Sequence, residues 1–144
     1  MTVISFKQEM LVLLYDIDIR SYDWPWHPEG WDDISKYVLR VLWTANNLTG
    51  FSVFRFAANS RIIISKLTVH PLYRDGGGVE SLLKDIENTA KRQNIAELRI
   101  SIWEHDDFRI KEVKSLGFNA IGLGVSLPDG SDSYEFMKKV NYGC

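Results

Sequence analysis

The segment from Leu67 to Leu83 constrains this chain more than any other. A strand candidate, Arg61–Val69, reaches His70-Pro71, where proline stops ladder pairing, and continues through Leu72-Tyr73-Arg74-Asp75-Gly76-Gly77-Gly78 into a helix. That helix carries the clearest periodicity in the sequence. Val79, Leu82, Leu83, Ile86 and Ala90 form one apolar stripe, and Glu80, Lys84, Asp85, Glu87 and Lys91 lie elsewhere around the cylinder. Leu98–Trp103 follows as a strand, alternating Leu98, Ile100 and Ile102 against Arg99 and Ser101. The unit is therefore strand, glycine-rich turn, helix, strand.

A turn of this composition suits an anion. The first turn of a helix has amides with no acceptor inside the helix, and it is the positive end of the macrodipole. Glycines let a ligand approach the backbone with no Cβ in the way. Together these features favour phosphate, and Arg74 can add a charge-assisted bond. Two familiar phosphate motifs are excluded. No Gly-Lys-Ser/Thr follows, and Gly-x-Gly-x-x-Gly cannot be placed here.

Around this unit the sequence reads as one α/β (α+β) domain over residues 1–144, with no repeat, low-complexity tract or linker. Met10, Leu13, Leu14 and Ile17 give Glu9–Arg20 the spacing of an amphipathic helix. Two prolines and a glycine make Asp23–Trp31 an aromatic-rich loop, holding Trp24 and Trp26. Tyr37–Thr44, Phe51–Ala58 and Arg61–Val69 read as an antiparallel meander, with turns at Asn46-Asn47 and Asn59-Ser60. Asp106 is placed to cap a short helix carrying Ile110 and Val113 and closed by Gly117. Ala120–Leu127 and Ser133–Val140 are the last strands, joined at Pro128-Asp129-Gly130. A mixed, mostly antiparallel sheet with one strand–helix–strand unit at its centre is the expectation.

Charge and motif narrow the function classes. A net charge of −2 supplies no field for nucleic acid or an anionic membrane, and no apolar run approaches the ~20 residues that span a bilayer. The start lacks a secretory signal, and a single cysteine, Cys144, forms no intrachain disulfide, so a cytoplasmic protein is expected. His27, His70 and His105 have no metal-ligand spacing, so no metal is expected.

The string Val69-His70-Pro71-Leu72-Tyr73-Arg74-Asp75-Gly76-Gly77-Gly78-Val79-Glu80-Ser81-Leu82-Leu83 resembles the coenzyme A-binding motif of the GCN5-related N-acetyltransferases. Val69, Pro71, Arg74, Gly77, Leu82 and Leu83 match that pattern; Val79 stands where it has Gly or Ala, and Asp75 where a basic or small residue is usual. Ser115-Leu116-Gly117-Phe118 is similar to a second signature of the family, and the element order is the family's order. Tyr15–Trp26 resembles the branch that acetylates ribosomal-protein N-termini.

The resemblance implies an acetyl-CoA-dependent acyltransferase acting on a small-molecule, peptide or protein amine, as a monomer or homodimer. Acetyl-CoA would be held by Leu67, Thr68, Val69, Arg74, Asp75, Gly76, Gly77, Gly78, Val79 and Asp106, in a splay between Arg61–Val69 and Leu98–Trp103. Trp24 and Trp26 would border the acceptor. Direct attack of the amine leaves two proton tasks, a base and an acid for the departing thiolate. The family's usual positions for them hold Val113 and Ser101, and its capping asparagine is Asp106. Tyr134, at the start of the last strand, Glu104 and His105, at the C-terminal end of the central strand, and His70, in the turn before the glycines, are the candidate substitutes. Two other readings stay open: a non-catalytic acyl-CoA binder on the same fold, and a protein-interaction module anchored by Trp24, Trp26 and Trp31.

Overall fold

A computed structural model describes residues 1–5, 37–124, 130 and 132–140. The helix expected over Glu9–Arg20 and the loop holding Trp24 and Trp26 lie outside the described residues. The strands are β1 (Thr2–Ser5), β2 (Val38–Thr44), β3 (Asn47–Ala57), β4 (Arg61–Val69), β5 (Glu97–Trp103), β6 (Asn119–Leu123) and β7 (Ser133–Lys139). The helices are α1 (Gly78–Arg92) and α2 (Asp107–Ser115), with a 3-10 helix at Pro71–Gly76. The strands form one sheet in the order β1-β2-β3-β4-β5-β7-β6, parallel only between β4 and β5. Sheet and helices together are the expected α+β arrangement.

Turn chemistry sets the meander. Ala45 and Asn46 both take positive φ (49° and 68°), the two left-handed positions of a tight hairpin whose twist matches the strands. The turn is therefore one residue earlier than Asn46-Asn47, and Asn47 opens a longer β3 than expected. Asn59 and Ser60 (φ 64° and 60°) serve the β3–β4 turn as expected. β1 was not expected; it pairs antiparallel with β2, from Thr2 opposite Trp43 to Ser5 opposite Arg40. The last strands are shorter than expected, and β7 lies between β5 and β6.

One irregularity positions the site. Phe54 pairs with Ile64 but Val53 pairs with Lys66, so Ser65 is an extra residue in β4. Such a bulge bends its strand and exchanges the faces of the residues beyond it. Ile62 and Ile64 enter the helix-side core before the bulge, and Leu67 and Val69 after it. Pairing of β4 with β5 runs from Arg61↔Glu97 to Ile64↔Ile100, and no further. Beyond the bulge β4 stays with β3 as far as Val69↔Gly50, while β5 stays with β7 as far as Trp103↔Ser133.

α1 packs on this sheet through Val79, Leu82, Leu83, Ile86 and Ala90, and α2 through Val113, with Phe118 buried just beyond it. Gly117 takes φ 99° and the amide of Phe118 returns to the Val113 carbonyl, the left-handed ending expected there. Ion pairs tie the helix to the sheet: Arg40 of β2 grips Asp85 at 3.0 and 3.2 Å, and Lys138 of β7 reaches Glu87 at 2.7 Å. The opposite face carries a row of charges, with Arg61 and Arg99 on Glu97 (2.7 and 2.9 Å) and Arg99 also on Glu135 (3.1 Å). Burial works against the Arg99 charge, but the hydrogen bonds to Glu135 and Glu97 outweigh it and hold its pKa above the ordinary arginine value.

Candidate active site

The gap between β4 and β5 opens directly before the start of α1. Backbone groups along a strand point alternately to its two neighbours. Thr68 is paired with Phe51, and its carbonyl lies against Gly50 of β3. By the same alternation Leu67 and Val69 direct their N–H and C=O groups into the gap, where β5 no longer meets them. The gap therefore presents half a ladder, to which an extended amide-bearing molecule can be added as a strand.

The turn that follows is more ordered than a glycine-rich loop. Pro71 stands in the first turn of the 3-10 helix, and His70 caps it: its Nδ1 accepts from the Leu72 amide at 3.1 Å. Gly77 then takes φ 80°, a left-handed conformation that costs other residues about 1–2 kcal/mol. It is also the N-cap of α1, with no side-chain bond to the helix. The amide of Ser81 donates to the Gly77 carbonyl at 3.1 Å. The N–H groups of Gly78, Val79 and Glu80 have no acceptor inside their own helix.

The three glycines do different work. A Cβ on Gly76 would meet no described residue within 4 Å, so the described part of the chain leaves that side open to an approaching molecule. Gly77 is required by its φ. Gly78 is required by packing, because a Cβ there would stand 2.9 Å from Leu42 Cδ2 and 3.1 Å from Val69 Cγ2. Val79 is buried and faces the core. Arg74 and Asp75 lie in the 3-10 helix; their side chains are outside the described residues.

The other wall of the gap is the start of α2. Asp106 caps it as expected, its Oδ1 accepting from the Arg109 amide at 3.0 Å. The Arg109 side chain, only 8% exposed, turns inward, donates to the carbonyl of Leu67 across the gap, and pairs with Glu112 at 3.0 Å. Sequence reasoning did not single out Arg109. The available signal was its spacing: it lies four residues before Val113, on the stripe that α2 buries.

Comparison with known proteins adds the fold's identity. No family model and no curated protein matches the sequence. Solved structures do. The ribosomal-protein-S18-alanine N-acetyltransferase from Escherichia coli superposes with a TM-score of 0.81 at 18% identity, over 99% of this chain and 96% of that one. Ard1 from Thermoplasma volcanium gives 0.84 at 18% identity, over 97% of each chain. A GNAT family acetyltransferase from Elizabethkingia anophelis, solved with acetyl-CoA bound, gives 0.79 at 15% identity over 96% and 97%. The chain has the GCN5-related N-acetyltransferase fold. The expected likeness to the ribosomal-protein branch is present at the same level as the likeness to the others.

On this acetyltransferase fold the candidate proton-transfer residues other than His70 fall in two places. Glu104 and His105 meet just past β5, with His105 Nε2 3.2 Å from Glu104 Oε1 and its ring edge-on to Trp103 at 5.1 Å. His105 is 64% exposed; Glu104 is held by the amide of Asp132 at 3.4 Å. Tyr134 stands on the neighbouring strand opposite Ile102, 39% exposed. Val113 is fully buried in the core and offers no proton. Ser101 lies in the parted half of β5, and its Oγ and that of Ser133 both crowd the space over Gly124. Trp24 and Trp26 lie outside the described residues. No cluster of three potential metal ligands occurs among the described residues, and no helix among them is long and apolar enough to cross a membrane.

Proposed function

We propose that this chain is an acetyl-CoA-dependent N-acyltransferase that moves an acetyl group to an amine, with a peptide or protein amine as the leading acceptor class. One observation carries the reading: β4 and β5 part beyond Ile64 and Ile100, immediately before a helix that begins with a bare, glycine-flanked first turn. A pyrophosphate would sit over the amides of Gly78, Val79 and Glu80, approached from the side of Gly76, with the Met1 side chain, which lies against Gly77 and Ser81, at its border. The thioester arm would lie along the Leu67–Val69 edge, where amides pointing into the gap can orient a carbonyl. Acetyl-CoA supplies the activated acyl group; the chain supplies alignment, and alignment is a large part of the rate in direct transfer.

Of the proton-transfer candidates, the Glu104–His105 pair and Tyr134 border the parted half of β5, and each would act on the amine or the departing thiol. Arg74 and Asp75 would flank the phosphates, and Asp106 would contribute indirectly, by capping the helix that walls the gap. Trp24 and Trp26 would line the acceptor side. A cytoplasmic monomer or homodimer, with no metal, completes the reading.

A second reading, an acyl-CoA binder without catalysis, is favoured by buried Val113 and by Ser101, which stand where the resemblance calls for proton-transfer groups. Two assays separate them. Acetyl-CoA raises the melting temperature under both readings, and release of free thiol with a panel of amines and N-terminal peptides occurs only under the first. With an active acceptor in hand, Trp26→Ala raises KM for it more than it weakens acetyl-CoA binding; equal losses would remove Trp26 from the acceptor side.

A further inference from the structure

We infer that Arg109 is a built-in competitor for the ligand of the gap, seated on a carbonyl that an incoming amide would use; the inference rests on the acyl-CoA reading above. Separation of β4 from β5 leaves the Leu67 carbonyl without a strand partner. A buried carbonyl without a donor is costly, and the chain satisfies this one with a side chain from 42 residues away, the Arg109 guanidinium. The contact is charge-assisted and therefore among the stronger kinds of hydrogen bond. Glu112, at 3.0 Å from the same nitrogen, balances the cation and fixes its direction.

The consequence follows from occupancy. A carbonyl has a second lone pair, but the guanidinium stands in the space that a ligand running along Leu67 and Val69 would enter. Binding must therefore displace Arg109 from Leu67, and the cost of that displacement is subtracted from the affinity. Because Glu112 is on α2 with Arg109, the displaced side chain keeps its counter-ion. Arg109 thus sets how tightly the gap holds its ligand while keeping the unliganded gap satisfied and open.

The two roles move in opposite directions, which makes the test specific. Acetyl-CoA is titrated calorimetrically into the full chain as wild type, Arg109→Ala and Glu112→Gln, with the melting temperature of each unliganded protein measured alongside. Arg109→Ala is expected to bind about tenfold more tightly, the scale of one charge-assisted bond, while melting lower. Glu112→Gln, which loosens the anchor and leaves the guanidinium in place, gives a smaller gain; it decides the matter alone if Arg109→Ala does not fold. Binding seen only in the variants also supports the inference. Unchanged or weaker binding in the variants, with the wild type binding, overturns it and leaves the acyl-CoA reading intact. Absence of binding in all three overturns both.

Discussion

The two helices that flank the gap begin in opposite ways. α2 starts on Asp106, whose carboxylate accepts from the Arg109 amide, so its positive end is already answered by a negative side chain. α1 starts on Gly77, which has no side chain to offer, and its next three amides have no acceptor within the helix. Both ends face the region where β4 and β5 part, yet only one is left for an external anion. Each helix has an acid in its first turn, Glu80 in α1 and Asp107 in α2; what differs is the N-cap, where only Asp106 supplies a side-chain bond. A helix terminus becomes a binding site only where the sequence withholds the usual cap and clears space around it.

The comparison can be broken most severely at Gly77. Gly77→Glu places a negative side chain over the bare turn of α1, and the acetyl-CoA thermal shift should vanish; a preserved shift would put the ligand elsewhere. Gly78→Ala acts through packing, with a cost of ~1–3 kcal/mol from the clash with Leu42 and Val69, read by chemical denaturation. At the other helix, Asp106→Ala should cost ~1 kcal/mol of stability and leave acetyl-CoA affinity nearly unchanged, and Asp106→Asn should restore the stability. A large loss of affinity in Asp106→Ala would mean that α2 also meets the ligand directly. The smallest effect is expected at Ser52, whose buried Oγ has no hydrogen-bond partner: Ser52→Ala should fall within ~0.5 kcal/mol of the wild type or slightly above it.

Much of this arrangement was legible because it is written in periodicity. The alternation of Leu98, Ile100 and Ile102 and the stripe from Val79 to Ala90 identify β5 and α1 with little ambiguity. The Asp106 cap and the Gly117 ending of α2 were equally plain, since each is a residue type with one strong local use. What escaped was non-local or short. β1 is four residues long and exists through its pairing with β2. The 3-10 helix after Pro71 was concealed by the glycines that follow it. The bulge at Ser65 is visible in hindsight as the step from Ile62 and Ile64 to Leu67 and Val69, but Ile63 hides it by keeping the run apolar. Arg109 reads as a surface residue on a short helix until its partner, a carbonyl on another strand, is known.

The fold-level likeness to acetyltransferases and the local geometry meet at one claim: an acyl-CoA lies along the parted edge of β4 with its phosphates on α1. Amide-resolved NMR of the full chain during titration with acetyl-CoA tests it directly. The account predicts that the Gly78, Val79 and Glu80 amides shift together with those of Leu67 and Val69, while Thr68, turned toward β3, responds less. Saturating shifts confined to other parts of the sheet, with the first turn of α1 unmoved, would contradict it.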